Sequence, residues 1–379
     1  MPIYKAGNVK KDGLQKYYVR INYIADNGNK KQLTRTAYGI DVAKGLERQL
    51  EYEIKMQREM PVKKMTVKQL FDEYVSVKKY EVRESTIYRT KKVFEYHILP
   101  ILENVRIDKL SVKILQEWKV SIEEKGLMLL SKKSIYKELS AMINYAIRME
   151  YLPKNPLSKV GNFKDALAYK RKITFYTSEE FRKYIDVAKQ SALEKEQKEK
   201  NLYEWNFYVF FNIAFYTGLR KGEIHALRWN DIDNNYLNVE RSLNQKLHKM
   251  DIETPPKSQS SVRTIQLPLP LIQILEEHKK RQKQLQDFNE NNRILGDEKS
   301  LRDTSIQKKN QLYSSLAGLK RIRIHDFRHS HASLLANMGI NIQEIARRLG
   351  HSNIEITWNI YSHLYPKEEE KAITILNAI

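Results

Sequence analysis

The hydrophobic pattern changes twice along the 379-residue chain, and these changes divide it into three segments. Residues up to about 40 alternate in the manner of strands, 65 to 160 repeat with a helical period, and residues beyond about 175 mix both patterns. At roughly 150 residues per domain, this length allows two or three domains. We predict a multidomain α+β protein with domains at 1–64, 65–170 and 171–379: a small N-terminal sheet plus helix, an all-α domain, and a mainly α domain with a small antiparallel sheet.

The first segment combines strand signals with a basic composition. Residues 17–24 are rich in β-branched and aromatic side chains, Asn27-Gly28 is a tight-turn dipeptide, and 31–38 predicts the returning strand. A helix is expected over 41–57. The first 40 positions hold eight basic and two acidic residues, which fits either a solvated basic surface or a nucleic-acid-binding face. The candidate contacts are Tyr18, Arg20, Lys31 and Arg35.

The second segment is a series of amphipathic helices. Thr66 with Gln69 forms a capping box, a signal for a helix start. A further helix is expected from residue 85 to a stop at 98–100, where Pro100 stands, and others from Ser111 and over 134–149. The basic residues of the helix from 85 are candidate DNA contacts or a solvated helix face: Arg89, Lys91 and Lys92.

The third segment opens with another capping box, Thr177 with Glu180. The near-continuous apolar stretch 207–216 is shorter than the ~18 residues of a membrane span, so it predicts a buried core helix over 205–217. A strand near 236–241 and a hairpin around 257–267 are expected before the final helices.

Composition narrows the possible chemistry and partners. The chain has no cysteine, which excludes disulfides, thiolate metal sites and a cysteine nucleophile. The histidine spacings match no metal-ligand rule, and no nucleotide-binding glycine motif is present. The net charge of +21 predicts a polyanionic partner, nucleic acid first and an acidic membrane surface second. The N-terminal residues lack the apolar core of a signal peptide, so we expect a cytoplasmic protein without a membrane span.

Four short stretches of the last segment carry the reactive residue types: 217–224 with Arg220 and Glu223, 255–263 with Lys257, 325–330, and 349–361. Each has a plain structural interpretation when taken alone. Arg220 can be an interior arginine paired with Glu223, and Lys257 can be a solvent-exposed turn lysine. A guanidinium fork also matches two phosphate oxygens, which gives Arg220 a second interpretation as an anion-binding group.

Taken together, the four stretches resemble the tyrosine recombinase (phage integrase) family. That family's signature is an Arg, a Lys, His-x-x-Arg, a His or Trp, and a terminal Tyr. The matching positions, in this order, are Arg220, Lys257, His325, Arg328, His351 and Tyr361. Residues 65–160 are similar to the family's core-binding, SAM-like domain. The N-terminal sheet resembles the arm-type DNA-binding domain of phage and conjugative-transposon integrases.

The resemblance implies a role for each position. Tyr361 attacks the scissile phosphate and forms a 3′-phosphotyrosyl link, while Arg220 and Arg328 bracket the phosphate. His351 donates a further hydrogen bond, and Glu223 orients its neighbours. Lys257, rather than the alternative Arg263, protonates the leaving 5′-oxygen, and His325 handles the tyrosine's proton. The same steps in reverse rejoin the DNA, so no cofactor, neither metal nor ATP, is expected.

The resemblance also implies partners: double-stranded DNA at core sites and arm sites, a homo-tetramer exchanging strands through a Holliday junction, and an accessory excisionase or DNA-bending protein. The apolar residues after Tyr361 can form a tail helix that packs on its own domain or docks on the next protomer. Two other functions remain open from the sequence, a type IB topoisomerase-like enzyme and a catalytically idle DNA-binding regulator. The target DNA sequence and the mobile element are not encoded in any recognisable feature.

Overall fold

The structure is a computed structural model that describes residues 3–24, 30–59, 64–164, 174–244, 251–255, 259–284, 288–296, 299–364, 373 and 376–378. Two compact units divide the chain, Met1–Ala168 and Tyr169–Ile379. In the part of the chain that is described, no helix is long and apolar enough to cross a membrane.

The N-terminal residues form an antiparallel sheet in the order β1 (Ile3–Lys11), β2 (Leu14–Ile24) and β3 (Lys30–Tyr38). Helix α1 (Ile40–Glu59) covers one face, and a small core forms from Val19, Ala37, Ala43 and Leu50. The predicted strands and helix are confirmed, whereas the turn dipeptide Asn27-Gly28 lies outside the described residues.

The strand register separates the four candidate DNA contacts of this sheet. Tyr18 pairs with Thr36, whereas Val19, one position later, pairs with Arg35 and Tyr23 with Lys31. Since successive residues of a strand face opposite sides, Tyr18 and Arg20 share one face, and the positions of Lys31 and Arg35 belong to the other. The four candidate contacts therefore do not share one face of the sheet.

The helices that follow pack around their own core. They are α2 (Val67–Lys78), α3 (Glu84–Val93), α4 (Leu99–Leu102), α5 (Val112–Glu124), α6 (Leu129–Arg148) and α7 (Leu157–Val160). The capping box of Thr66 and Gln69 forms as predicted, and Ser111 caps α5. The core includes the fully buried Trp118 and Phe163.

Two predicted boundaries differ from the structure. Helix α3 continues into a π-helical turn, Phe94–Ile98, and Pro100 stands in the first turn of α4 instead of ending the helix. A first-turn proline loses no hydrogen bond, because the N–H it lacks has no partner inside the helix. Helix α6 begins at Leu129 rather than at Ser134.

Lys119 binds the backbone carbonyls at the end of the helical domain. Its ammonium donates to the carbonyls of Val160, Gly161 and Asn162 at 3.3, 3.0 and 3.4 Å. The same ammonium lies 5.4 Å from the ring centre of Phe163. Val160 is the last residue of the short helix α7, and Gly161 and Asn162 follow it, so the lysine acts as a C-terminal cap of this helix.

The second unit is mainly helical and contains two small sheets. Its helices are α8 (Ser178–Glu199), α9 (Trp205–Thr217), α10 (Lys221–Ala226), α11 (Leu269–Gln282), α12 (Asp303–Leu316), α13 (Asp326–Asn337), α14 (Ile342–Leu349) and α15 (Ile354–Tyr361). Its strands are β4 (Ile232–Asp233), β5 (Tyr236–Val239), β6 (Ser242–Asn244), β7 (Ile252–Thr254) and β8 (Arg263–Gln266). Every residue of α9 except Tyr216 is buried, which confirms the predicted core helix.

The strand pairing corrects the predicted hairpin around 257–267. Strand β8 pairs with β5, far away in sequence, and the local hairpin joins β6 to β7 instead. Pro255 and Pro256 follow β7 and lack backbone N–H groups, so a ladder cannot continue through them. Pairing with β5 buries Ile265 against Leu237.

Candidate active site

Two helices of the second unit end in left-handed glycines, and the carbonyls at these ends hold an arginine between them. Gly218 ends α9 and Gly350 ends α14, each with φ near +66°. The Arg328 guanidinium donates from Nη1 to the Gly218 carbonyl at 2.8 Å and from Nη2 to the Leu349 carbonyl at 2.7 Å. The stretches Thr217-Gly218 and Leu349-Gly350 therefore form helix C-caps that position this side chain.

No other residue fits at these two caps. A Cβ on Gly218 would lie 2.7 Å from the His331 ring, and a Cβ on Gly350 would lie 2.9 Å from Nη1 of Arg263. Both distances are too short for non-bonded atoms, and the positive φ adds a cost of roughly 1–2 kcal/mol for residues with a Cβ. The absence of a Cβ thus leaves room for the His331 ring at Gly218 and for the Arg263 guanidinium at Gly350.

Glu223 is a buried carboxylate that joins two arginines. It accepts from the backbone N–H and Nη1 of Arg220 at 2.9 and 2.8 Å, and from Nη2 of Arg263 at 2.9 Å. Burial opposes ionisation of Glu223, but the hydrogen bonds and charges of Arg263 and Arg220 outweigh it and lower its pKa. Nη2 of Arg220 also donates to the Gly350 carbonyl at 3.1 Å, so Arg220 and Arg328 are held by the same helix end.

The N–H donors of Arg263 are occupied by structural hydrogen bonds. Besides Glu223, it donates to the Arg348 carbonyl at 2.7 Å and to the Ser261 carbonyl at 2.9 Å, and its side chain is buried. A guanidinium bound on three sides cannot readily act as a proton donor. Lys257, the group predicted for that role, lies outside the described residues.

His351 follows the Gly350 cap directly. Its Nδ1 lies 2.7 Å from the Thr357 hydroxyl, which fixes the ring orientation. Desolvation and the positive charges of Arg328 and Arg220 lower the pKa of His351 to about 4, so the ring is neutral at neutral pH.

Tyr361, at the end of α15, has a buried side chain that packs on Ala332 and Leu349. Its hydroxyl lies 2.5 Å from Nδ1 of His329 on α13. Burial raises the pKa of Tyr361, and the charge of Arg328 partly opposes this shift. The hydroxyl is therefore protonated and shares its hydrogen bond with a histidine that the sequence patterns did not single out.

His325 immediately precedes α13 and lies beside His329. Its exposed ring lies 5.2 Å from the His329 ring, centre to centre, and among the described residues it has no hydrogen bond to Tyr361. Desolvation and the charge of Arg328 lower the pKa of His325. The structure thus gathers Arg220, Arg328, His325, His351 and Tyr361 in one unit and adds His329 to them.

The electrostatics favour an anion. Burial lowers the pKa of Arg328 to about 9, which leaves it protonated at neutral pH beside Arg220. Desolvation, followed by the neighbouring His325, lowers the pKa of His329 to about 4. Two fixed guanidinium groups, neutral imidazoles and a tyrosine hydroxyl form a site suited to nucleophilic chemistry on a phosphate diester. Among the described residues, no group of three His, Cys, Asp or Glu side chains could hold a metal ion.

Arg89 and Lys92 of α3 make intramolecular ion pairs. Arg89 donates to the buried Glu138 at 2.5 Å, and Lys92 donates to Glu95 at 2.8 Å. The Lys92 ammonium also lies 5.4 Å from the ring centre of Tyr96, and Lys91 is exposed. In the N-terminal sheet, the Arg20 guanidinium lies 5.3 and 6.0 Å from the rings of Tyr4 and Tyr18.

Comparison with known families agrees with this site. The profile of the phage integrase family matches residues 175–368, and that of the phage integrase N-terminal SAM-like domain matches residues 66–120. The chain belongs to the phage integrase family, the tyrosine recombinases, which are DNA breaking-rejoining enzymes. Site-specific DNA recombination is the reaction class of this family.

Individual relatives cover most of the chain. The ICEBs1 integrase of Bacillus subtilis is 29% identical over 341 residues, 86% of either chain. A tyrosine recombinase XerC-like protein of Caldanaerobacter subterraneus is 28% identical over 325 residues, 79% of this chain and 76% of the relative.

Solved structures share the fold. The Tn1549 transposon integrase in complex with transposon right end DNA superposes with a TM-score of 0.66 at 23% identity, covering 83% of this chain and all of that one. A lambda integrase tetramer bound to a Holliday junction gives a TM-score of 0.55 at 18% identity. The match covers 93% of this chain and 96% of the lambda integrase chain.

Proposed function

We propose that this chain integrates and excises a mobile element by cleaving and rejoining DNA through Tyr361. The observation that carries the proposal is the joint anchoring of Arg220 and Arg328 on the carbonyls that end α9 and α14. Both guanidinium groups are held in the unit that also contains the Tyr361 hydroxyl. Fixed positive charge of this kind stabilises the extra negative charge that develops on a phosphate under attack.

Each remaining group has a part in the proposed reaction. Attack by Tyr361 forms a 3′-phosphotyrosyl bond as the bond from phosphorus to the 5′-oxygen breaks, and Lys257 protonates that leaving oxygen to give a 5′-hydroxyl. His351 donates from Nε2 in the tautomer in which the Thr357 hydroxyl donates to Nδ1. Glu223 holds Arg220 in place and is a positioning residue. The released 5′-hydroxyl of a partner duplex reverses the reaction and rejoins the strands without a cofactor.

We infer three DNA-contacting domains, at 1–64, 65–170 and 171–379. The first domain holds 14 basic and 7 acidic residues, the second 20 basic and 13 acidic, and the third 33 basic and 26 acidic. Each domain therefore carries the same net charge of +7. For the N-terminal sheet we propose the face of Tyr18 and Arg20, which α1 leaves uncovered, as the arm-site surface. Summed phosphate contacts predict an affinity that falls steeply with salt.

We infer that the active assembly is a homo-tetramer on double-stranded DNA in the cytoplasm, acting through a Holliday junction. The lambda integrase tetramer on such a junction, with a similar fold, supports this assembly. An accessory excisionase or DNA-bending protein belongs to the same proposal. The residues after 364 contain the C-terminal tail, which packs either on its own domain or on the next protomer. Gel filtration of a chain ending at residue 365, compared with the full chain on DNA, would decide between the two.

The experiment that tests the proposal uses a nicked suicide substrate carrying the end of the protein's own element. Tyr361→Phe should bind this DNA normally and form no covalent adduct, because the attacking oxygen is missing. Arg220→Lys should retain the fold and lose roughly 100- to 1000-fold in cleavage rate, because an ammonium cannot replace the planar, bidentate fork of the guanidinium, which Glu223 and Gly350 hold in place. Adducts formed by Tyr361→Phe would show that another residue attacks.

The arm-site surface needs a separate test. Tyr18→Ala with Arg20→Ala should weaken binding to arm-site DNA and leave cleavage of an isolated core site unchanged. Arg35→Ala, an exposed arginine at a position of the opposite face, is the matched control and should have a smaller effect. An equal loss in both variants would refute the choice of face.

A further inference from the structure

Tyr361 needs a partner that can take its proton, and the candidate site contains three histidines that could do so. Nδ1 of His351 already contacts the Thr357 hydroxyl. His325 is exposed and has no hydrogen bond to Tyr361 among the described residues. His329 alone of the three has a nitrogen at hydrogen-bond distance, 2.5 Å from the hydroxyl oxygen.

Because Tyr361 is buried, its contact with His329 determines which group can accept the hydroxyl proton. The Tyr361 side chain is only 1% exposed, so water has little access to its hydroxyl. A buried hydroxyl requires a partner, and removing that partner leaves it unsatisfied at a cost well above that of an exposed group. In this arrangement the proton acceptor at hydrogen-bond distance is therefore a protein group, His329.

His329 is also held in the form that can accept a proton. Its ring faces His325 and Tyr361, and the charged groups around it are Asp326, Arg323 and Arg328. Arg323 is engaged by Asp326, which accepts from its Nη2 at 2.6 Å, at the start of α13. Neutral imidazole has one unprotonated nitrogen, and at 2.5 Å Nδ1 can accept the tyrosine hydrogen directly.

We propose that His329 positions the Tyr361 hydroxyl and receives its proton during cleavage, a role that the sequence pattern gives to His325. This inference rests on Tyr361 being the nucleophile. As the tyrosine oxygen bonds to phosphorus, its O–H bond breaks and the hydrogen bonds to Nδ1 of His329. The bond from phosphorus to the 5′-oxygen breaks, and that oxygen takes a proton from the general acid. In rejoining, His329 returns the proton to the tyrosine.

The test is single-turnover cleavage of the nicked suicide substrate by the full chain. His329→Ala should cleave roughly 100-fold more slowly or worse at unchanged DNA affinity, the usual effect of losing a general base. Added imidazole should restore part of the rate. The rate of this variant should keep rising with pH, because only solvent hydroxide then removes the tyrosine proton. His325→Ala removes a neighbouring site residue; whatever its effect on the rate, that rate should gain nothing from added imidazole and should not keep rising with pH, because His329 is still present.

A second variant separates positioning from proton transfer. His329→Asn places an amide near the hydroxyl, so it can hold the tyrosine without accepting a proton. Its rate should exceed that of His329→Ala, remain below that of the wild type, and gain nothing from imidazole. Wild-type or faster cleavage by either variant, with an unchanged pH profile, overturns the inference. Tyr361→Phe in the same assay decides separately whether the nucleophile is correct.

Discussion

Replacing the buried carboxylate Glu223 tests whether the two arginine sites depend on one shared anion. Glu223→Gln keeps the size and shape of the side chain but removes its charge. One of its oxygens becomes an NH₂ group that faces a guanidinium donor. The contacts at risk are those to Nη1 and the backbone N–H of Arg220 and to Nη1 and Nη2 of Arg263.

The size of the effect follows from the burial of Arg263. Its side chain is 4% exposed, and that of Glu223 is 6% exposed, so the substitution leaves a buried guanidinium without its counter-ion. Breaking such a pair typically costs about 3–5 kcal/mol. Arg263 retains the carbonyls of Ser261 and Arg348, which favours the lower end, about 3 kcal/mol. Release of Arg220 should also slow cleavage by at least ~100-fold.

Urea unfolding measured by tryptophan fluorescence can report on this unit alone. In a Trp118→Phe background, the remaining tryptophans all lie beyond residue 169. With a slope of ~2–3 kcal/mol per molar urea, the midpoint should fall by about 1–1.5 M. Glu179→Gln is the control, because Glu179 makes only an exposed pair with Lys183 at 4.0 Å. If both variants shift the midpoint equally, the coupling of the two arginines through Glu223 is refuted.

Further predictions concern backbone, pH and capping. Gly218→Ala should destabilise the second unit by about 2–4 kcal/mol, since the new Cβ meets the buried His331. Gly318→Ala, also at positive φ but in open space, is the control and should cost about 1 kcal/mol. Equal urea midpoints for the two variants would contradict this prediction. Burial lowers the pKa of His278 to about 4 and of His331 to about 3. Their unfolded forms take a proton near pH 6.5, so stability is lost as pH falls below that value, by about 2–3 kcal/mol in sum between pH 7.5 and 5.5; a pH-independent urea midpoint over this range would refute it. Lys119→Met should speed amide hydrogen exchange at the end of α7, because three carbonyls lose their donor; unchanged exchange rates there would show that the cap contributes nothing.

Local signals predicted local structure well. Each capping box, at Thr66 and at Thr177, spans only four residues of sequence, and both form where expected. The stop at Pro100 was wrong because a π-helical turn displaces the register, so that the proline falls in a new first turn. The pairing of β8 with β5 could not be read from the sequence, since it joins segments more than 20 residues apart.

The candidate site divides in the same way. The residue types and their order identified the family, which the family profile confirms, and proposed Arg220, Arg328, His351 and Tyr361 as its site residues. The contact of His329 with Tyr361 depends on how α13 packs against α15, which no spacing along the chain encodes. One signal was available, because His329 follows Arg328 directly and lies four residues, one helical turn, after His325.

The carbonyls that hold Arg328 have a consequence for the encounter with DNA. A free arginine side chain has about 2 kcal/mol of rotamer entropy to lose when it is ordered. Here the guanidinium is buried, and two of its donors already bind the Gly218 and Leu349 carbonyls. Its remaining N–H groups are therefore aligned before a phosphate arrives. The entropy of ordering this side chain is lost when the domain folds, not when the substrate binds.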